Sequence, residues 1–322
     1  MKTDRFAMQV ENAIYNWYTG GSCSKQEPVY NALKIGMDEG MQVLVPVDMS
    51  DSLRILLNRY DGDEDYRDDG RHAIGLKRLE NSSGDYYVPI FTSHQMLEDY
   101  DNHAEVMLDF KELVLALESW RRCSGFIIND ETAEFIIDRG NLDLLLDYKP
   151  VSHIECIYGS VLDLCVDAVV CSVNEKLRPC SGTDRKIHRA AGVELEKCLR
   201  TYGSCDEGDA IITRACSLMS AYYIIHTVGL TYDGEKEAED RLAECCSTAL
   251  ELAYRSNCMS VAFPCISAGN NALLSQRAGE IALSSTVKWL NEHPDTVMNI
   301  YFCCNRRNTL QEYNDMLAML QS

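Results

Sequence analysis

The chain has 322 residues, of which 46% are hydrophobic, and a formal net charge of −20 at pH 7. This length is sufficient for about two domains with packed cores. The excess of carboxylates repels a polyphosphate backbone, which disfavours a nucleic-acid partner, and no apolar run is long enough to cross a membrane.

Fifteen cysteines raise the question of a metal site or of disulfides. Cys245–Cys246 and Cys303–Cys304 are adjacent pairs, and C-x-x-C spacing is absent from the sequence. The first residues mix charges with apolar residues at helical spacing, unlike a signal peptide. We therefore expect a cytoplasmic protein with reduced cysteines, no metal and no cofactor.

The first part of the chain is predicted to be a small α+β domain. FAMQVENAIYNWY and PVYNALKIGMDEG have helical periodicity, and MQVLVPVDM has the pattern of a strand. LRILLNRY, HAIGLKRL and DYYVPIFTS are predicted as further strands. The helix FKELVLALESWRR, the strand GFIIND, and a last strand and helix in AEFIIDRGNLDLLLDY complete this domain.

The acidic stretch from Asp61 to Gly70 alternates carboxylates as a calcium-binding loop does. Its sixth position is Tyr66, where glycine is needed, and its twelfth is His72, where glutamate is needed. We interpret this stretch as a solvated hairpin loop.

From His153 onward, strands alternate with helices. The predicted strands are HIECIYG, DAVVCSV, DAIITRAC, AYYIIHTVG, SVAFPCIS and NIYFCCN. Predicted helices begin at Arg185 and cover Glu235 to Ser256 and Gln276 to Leu290. This alternation predicts a mostly parallel sheet covered by helices. The pattern changes between Asp147 and Ser152, which divides the chain into domains 1–148 and 149–322.

Two polar loops follow apolar strands of this predicted sheet. The first lies within the stretch from Cys171 to Gly192, and the second is ISAGNNALLSQ. In a doubly wound sheet, ligands bind beyond the carboxyl ends of the strands. Gly182 and Gly269 allow backbone N–H groups to approach an anion before a helix begins. The loops are suited to a diphosphate, although ordinary turns and helix caps use the same residues.

Five blocks in this half resemble the macrodomain, an α/β/α module that binds ADP-ribose. They are VDAVVCSVN, KIHRAAG, GDAIIT, YYIIHTVG and SVAFPCISAG, in the order of the family. The resemblance implies a three-layer α/β/α fold with a mostly parallel, mixed sheet. It also implies that ADP-ribose or an ADP-ribosylated protein is the partner.

The resemblance places Asn174 and Asp184 where hydrolase-type members hold the distal ribose and the attacking water. Without the resemblance, Asn174 would end a strand and Asp184 would cap a helix. Ligand contacts are implied at Gly159, Ser160, Ser181, Gly182, Thr183, Ile187, Ser267, Ala268, Gly269, Asn270 and Asn271.

Several residues depart from the family pattern. The glycine run between Asn174 and Asp184 is replaced by Pro179 to Gly182, and Pro179 has no N–H to offer a ligand. Cys171 replaces the earlier asparagine of the family, and Ser160 replaces the aspartate that contacts adenine. These changes leave catalysis and adenine selectivity open.

His188 and His226 belong to the blocks KIHRAAG and YYIIHTVG. We interpret both as packing or hydrogen-bonding residues of the fold, and neither as a catalytic base.

The stretch from about Gln42 to Asp147 resembles the SseB-like N-terminal domain. The similarity is carried by VLVPVD, YYVPIFTSHQMLEDY and GFIINDETAEFIIDRGNLDLLL. The resemblance implies no catalytic activity for this segment, and its sequence shows no nucleophile–base pair. We interpret it as an interaction module for a protein partner.

Three functions follow from these patterns. The first is an enzyme that removes ADP-ribose from proteins or hydrolyses a small ADP-ribose ester. The second is a reader that binds ADP-ribosylated partners without chemistry. The third is a degenerate macrodomain that acts as a scaffold, which Ser160, Cys171 and Asn271 favour.

Overall fold

The computed structural model describes residues 2–19, 26–48, 75–80, 86–98, 100, 104–117, 123–129, 135–180, 182–228, 236–265 and 272–321. The chain forms two compact units. The first contains Met1–Ile14 and Ala32–Lys149, and the second contains Tyr15–Asn31 and Pro150–Ser322. The identification of domain 1–148 as SseB-like stays a prediction.

The first half of the chain carries two small sheets. Its described helices are α1 (Lys2–Thr19), α2 (Glu27–Asp38), α3 (His94–Leu97), α4 (Phe110–Ala116) and α5 (Arg139–Asp147). Its described strands are β1 (Gln42–Asp48), β2 (Gly75–Leu76), β3 (Leu79–Glu80), β4 (Tyr86–Ile90), β5 (Ala104–Asp109), β6 (Cys123–Ile128) and β7 (Phe135–Asp138). One sheet has the antiparallel order β2-β1-β5, and the other has the mixed order β3-β4-β6-β7.

Some predictions for this half need correction. HAIGLKRL forms no single strand, because β2 and β3 are separate two-residue strands in different sheets. Strand β5 and the short helix α3 have no counterpart in the predicted elements. LRILLNRY and the acidic stretch from Asp61 to Gly70 lie outside the described residues.

The second half carries one six-stranded sheet. The strands are β8 (His153–Tyr158), β9 (Val166–Val173), β10 (Ala210–Arg214), β11 (Ala221–Val228), β12 (Ser260–Pro264) and β13 (Asn299–Cys304). The helices are α6 (Gly182–Ala191), α7 (Val193–Tyr202), α8 (Lys236–Arg255), α9 (Ala272–Glu292) and α10 (Arg307–Gln321), and a 3-10 helix covers Val161–Asp163. The sheet order is β10-β11-β9-β12-β13-β8, with β10 antiparallel to β11 and the other neighbours parallel.

Buried side chains cover both faces of this sheet. Alternate residues of a strand point to opposite faces, so Val170 packs on one face while Val169 and Cys171 pack on the other. Residues of α8, α9 and α10 cover the first face, and residues of α6 and α7 cover the second. This arrangement agrees with the mixed, mostly parallel α/β sheet expected from the sequence.

Two asparagines near the N-terminus explain why residues 15–31 group with the second unit. Asn16 donates to the carbonyl of Cys165 at 2.7 Å and accepts from its N–H at 2.9 Å. Asn31 donates to the carbonyl of Val151 at 2.9 Å. These amide bonds connect the segment to residues just before β8 and β9, far along the chain.

The helix after β9 begins earlier than the sequence predicts. Helix α6 starts at Gly182 instead of Arg185, so Asp184 lies inside its first turn and is not its cap. At Gly192 the backbone adopts a φ of 78°, which favours glycine, and α7 begins at the next residue. Within the described residues, no helix has both the length and the hydropathy needed to span a bilayer.

Candidate ligand-binding site

The sheet topology places the predicted loops at one edge. After β9 the chain enters α6, on one face of the sheet, whereas after β12 it enters α9, on the other face. Because β9 and β12 are parallel neighbours, a crevice is expected between the loops that follow them. The second loop, with Ser267, Ala268, Gly269, Asn270 and Asn271, lies outside the described residues, as does Ser181.

Asn174 organises the loop that follows β9. Its Oδ1 accepts hydrogen bonds from the N–H groups of Lys176 and Arg178, each at 3.1 Å. Leu177, at the turn, has a φ of 58° and a buried side chain, which anchors the loop in the core. The amide Nδ2 of the exposed Asn174 makes no hydrogen bond to the residues that the structure describes. Among the described residues, it is therefore a free donor on a fixed loop.

Asp184 lies below that loop and is only 1% exposed. Its Oδ1 accepts from the N–H of Ser172 at 3.1 Å, which connects the first turn of α6 to the end of β9. The Asp184 carboxylate also lies close enough to the Cys171 thiol to raise the pKa of that thiol. This carboxylate is consequently held in a fixed position, and it couples the strand to the helix.

The other predicted residues of α6 have different surroundings. Gly182 is exposed and Thr183 is half-buried, so both are accessible to a ligand at the start of the helix. Ile187 has no exposed surface and packs in the core against β9. The ligand contact expected at Ile187 stays a prediction.

Gly159 and Ser160 follow β8, at the far edge of the sheet. The Oγ of Ser160 accepts from the N–H of Leu162 at 3.2 Å, and the Ser160 N–H donates to Asp163 at 2.9 Å. The serine is therefore the cap of the 3-10 helix. Strands β12 and β13 separate β8 from β9, which puts these residues about 14 Å from the Asn174 loop. A ligand must be extended to reach both places.

Burial determines the charge state of a cluster beside Asp184. Burial raises the pKa of the Cys171 thiol well above its ordinary value, and the Asp184 carboxylate adds to that rise. Burial, together with His188, lowers the pKa of His226 to about 3, and burial also lowers the pKa of His188. Spacing in the sequence predicts no metal site, yet Cys171, His188 and His226 are brought together here from three elements.

The sequence analysis missed Arg306, which lies just beyond the carboxyl end of β13, at the same sheet edge. Its charge helps to lower the pKa of Cys265, which follows β12; a hydrogen bond from the Cys304 thiol is the main cause. Two arginines directly after an apolar strand were the signal that could have revealed this cation.

The macro domain family model matches residues 170–282, which include the loop after β9, helix α6 and the start of α9. A macro domain-containing protein of Listeria monocytogenes is 37% identical over 171 residues, or 51% of this chain and 97% of that relative. The chain belongs to the macro domain family.

Two further macro domain relatives have names that state an activity. An O-acetyl-ADP-ribose deacetylase of Escherichia fergusonii is 36% identical over 174 residues, or 52% of this chain and 96% of that relative. The ADP-ribose glycohydrolase MACROD1 of Mus musculus is 39% identical over 147 residues, or 45% of each chain. These matches cover about half of the chain, and they leave the SseB-like identity of the other half a prediction.

Proposed function

We propose that this macro domain binds ADP-ribose, or an ADP-ribose group on a protein, in the crevice between the loops after β9 and β12. The observation that carries the proposal is the fixed Asn174 loop above the buried Asp184. The named activities of the relatives agree with such a ligand. The distance of about 14 Å between the Asn174 loop and Ser160 suits an extended dinucleotide-like molecule.

In this proposal, different polar groups contact different parts of the ligand. Asn174 offers its free Nδ2 to a hydroxyl of the distal ribose, while Asp184 orients the loop and the water beside it. Gly182 and Thr183 present the positive end of α6 to a phosphate. Ser267 to Asn271 provide the second side of the diphosphate site, and Gly159 and Ser160 lie toward the adenine end.

We propose hydrolysis as the reaction at this site. Water adds across the ester or glycosidic bond at the distal ribose, and it releases ADP-ribose and the acid or protein group. Fixing water and ribose together in one geometry accelerates such a step without a metal or cofactor.

A non-catalytic reader is the second candidate, and one observation favours it. Both N–H groups that Asn174 Oδ1 accepts from belong to its own loop. That oxygen is therefore occupied, and only the Nδ2 group can serve the ligand. A site with fewer free acceptors binds ribose but positions water less well.

Two conservative variants test the assignment. Asn174→Asp keeps the oxygen that accepts from Lys176 and Arg178 but removes the Nδ2 donor. Asp184→Asn keeps an oxygen for the Ser172 N–H but removes the charge. With O-acetyl-ADP-ribose and an ADP-ribosylated protein as substrates, each variant is expected to lower kcat/KM by about 100-fold or more.

Glu175→Gln is the matched control, because Glu175 is exposed on the same loop and its side chain is not needed by the proposal. Its turnover should equal that of the unmodified chain. Measurable ADP-ribose binding without product would select the reader. Full turnover in both Asn174→Asp and Asp184→Asn would refute the catalytic assignment.

A further inference from the structure

Two adjacent strands and one helix bring a thiol and two imidazoles together under the sheet edge. Strands β9 and β11 are parallel neighbours, and their register pairs Cys171 with His226. Residues in register on adjacent strands point to the same face, which is the face covered by α6. His188 of α6 completes the group, and its ring centroid lies 5.5 Å from that of His226.

Each imidazole has a buried nitrogen without a partner. His226 has no exposed surface, and its Nδ1 has no hydrogen-bond partner, while its Nε2 lies 3.0 Å from Thr213 Oγ1. The Nε2 of His188 is likewise buried without a partner. Leaving a buried polar group unpaired costs about 1–3 kcal/mol. Two such nitrogens and one thiol together present the donor atoms of a metal site.

The distances and the donor types fit a zinc ion. One ligand atom of each of the three residues lies within 4.8 Å of the other two. Tetrahedral zinc with one sulfur and two nitrogens needs separations of about 3.5 Å, so side-chain shifts of about 1 Å would close the site. A thiolate with imidazoles suits zinc, whereas calcium and magnesium prefer oxygen ligands.

We propose that Cys171, His188 and His226 form a zinc site. In this site both histidines would bind as neutral imidazoles, and His226 would donate its Nε2–H to Thr213 and offer Nδ1 to the metal. On binding, Cys171 loses its proton to solvent and becomes the thiolate ligand. Zinc binding therefore releases one proton, and the fourth position is available to water.

The site would fix the helix that carries Asp184. Asp184 and His188 are four residues apart in α6 and lie on the same side of it. Zinc joining His188 to β9 and β11 would hold the first turns of α6 against the sheet. Thr213, whose hydroxyl lies within hydrogen-bond distance of His226, is a positioning residue.

Metal analysis of the full chain tests the proposal. After equilibration with zinc and removal of excess metal, about one zinc per chain is expected. Cobalt(II) in its place should give a thiolate-to-cobalt charge-transfer band. Cys171→Ser and His226→Gln should weaken zinc binding about 100-fold or more, and Thr213→Val should weaken it about 10-fold. Cys216→Ser, at an exposed cysteine, is the matched control.

The outcome is independent of ADP-ribose binding, because it is measured without nucleotide. A folded chain that retains no zinc and gives no thiolate band would overturn the proposal. Unchanged zinc affinity in a folded Cys171→Ser variant, or preferential retention of copper, would also overturn it. If the variants fail to fold, the cobalt spectrum of the unmodified chain tests the proposal: a thiolate-to-cobalt band supports it, and the absence of that band overturns it.

Discussion

At the scale of single residues, Cys265 illustrates how neighbours set reactivity. It follows β12, directly before the second loop, and a hydrogen bond from the thiol of Cys304 lowers its pKa, with help from Arg306. The pKa of Cys304 is raised in turn. A thiol whose pKa is lowered is a thiolate, and hence a nucleophile, at a pH where ordinary cysteines are protonated.

We predict that iodoacetamide modifies Cys265 with a pH profile shifted to lower pH than that of Cys180, whose pKa burial raises. Mass spectrometry of peptides across a pH series measures both rates on the same sample. Cys304→Ala should move the Cys265 profile back to higher pH, because the donated hydrogen bond is lost. A Cys265 profile that coincides with that of Cys180 would contradict this interpretation.

The sequence reveals some of these residues and conceals others. Asn174 and Asp184 were predicted from the resemblance to the macrodomain family, and their roles stay predictions. The cluster of Cys171, His188 and His226 could not be predicted, because its members lie on two strands and a helix that only the sheet register brings together. The ligand contact that the resemblance implies at Ile187 stays a prediction, and the Ile187 side chain itself packs in the core.

At the scale of elements, Asp167 connects strand β9 to the start of β12. Its Oδ2 accepts from the N–H of Met259 at 2.7 Å and from the N–H and hydroxyl of Ser260 at 2.9 and 3.0 Å. The side chain is 5% exposed. This carboxylate joins the amino-terminal ends of the two strands, and the proposed crevice lies beyond their carboxyl ends.

We predict that Asp167→Ala lowers the free energy of unfolding by about 3 kcal/mol, because it leaves buried donors unpaired. Asp167→Asn keeps an oxygen that accepts from these donors, so its loss of unfolding free energy should be smaller. Urea unfolding of both variants measures the difference. The exposed Asp209, whose side chain is accessible to solvent, supplies the control Asp209→Ala. Equal stability of Asp167→Ala and the control would argue against this connection.

Element types were predictable in the second half because most of its apolar strands are separated by amphipathic helices, although β10 and β11 follow one another as an antiparallel pair. The ends of these elements were less predictable. Helix α6 begins at Gly182, and Asp184 in its first turn bonds back to the end of β9, a contact that local sequence does not show. In the first half, strand β5 was missed because only its pairing with β1 makes AEVMLD a strand.

At the scale of the whole molecule, the second unit is discontinuous in sequence. Residues Tyr15–Asn31 belong to it together with Pro150–Ser322. Asn16 bonds both backbone groups of Cys165, and Asn31 bonds Val151. A single boundary in the sequence cannot show that this early segment belongs to the second unit. The sequence pattern changes only between Asp147 and Ser152, where the chain enters that unit for the second time.

We predict that Asn16→Ala lowers the free energy of unfolding by about 2 kcal/mol, since it leaves the N–H and carbonyl of Cys165 without their partner. Thermal unfolding followed by circular dichroism measures this loss. Asn308→Ala, at an exposed asparagine of α10, is the control. A Tm equal to that of the control would show that residues 15–31 do not stabilise the unit.

The central claim is that the loops at the sheet edge bind ADP-ribose. Isothermal titration of ADP-ribose into the full chain tests it most directly, with AMP and NAD as comparators. We predict a dissociation constant of about micromolar order for ADP-ribose, weaker binding of AMP, and at least about 10-fold loss in Asn174→Asp. A folded chain that gives no heat with ADP-ribose at about millimolar concentration would contradict the claim.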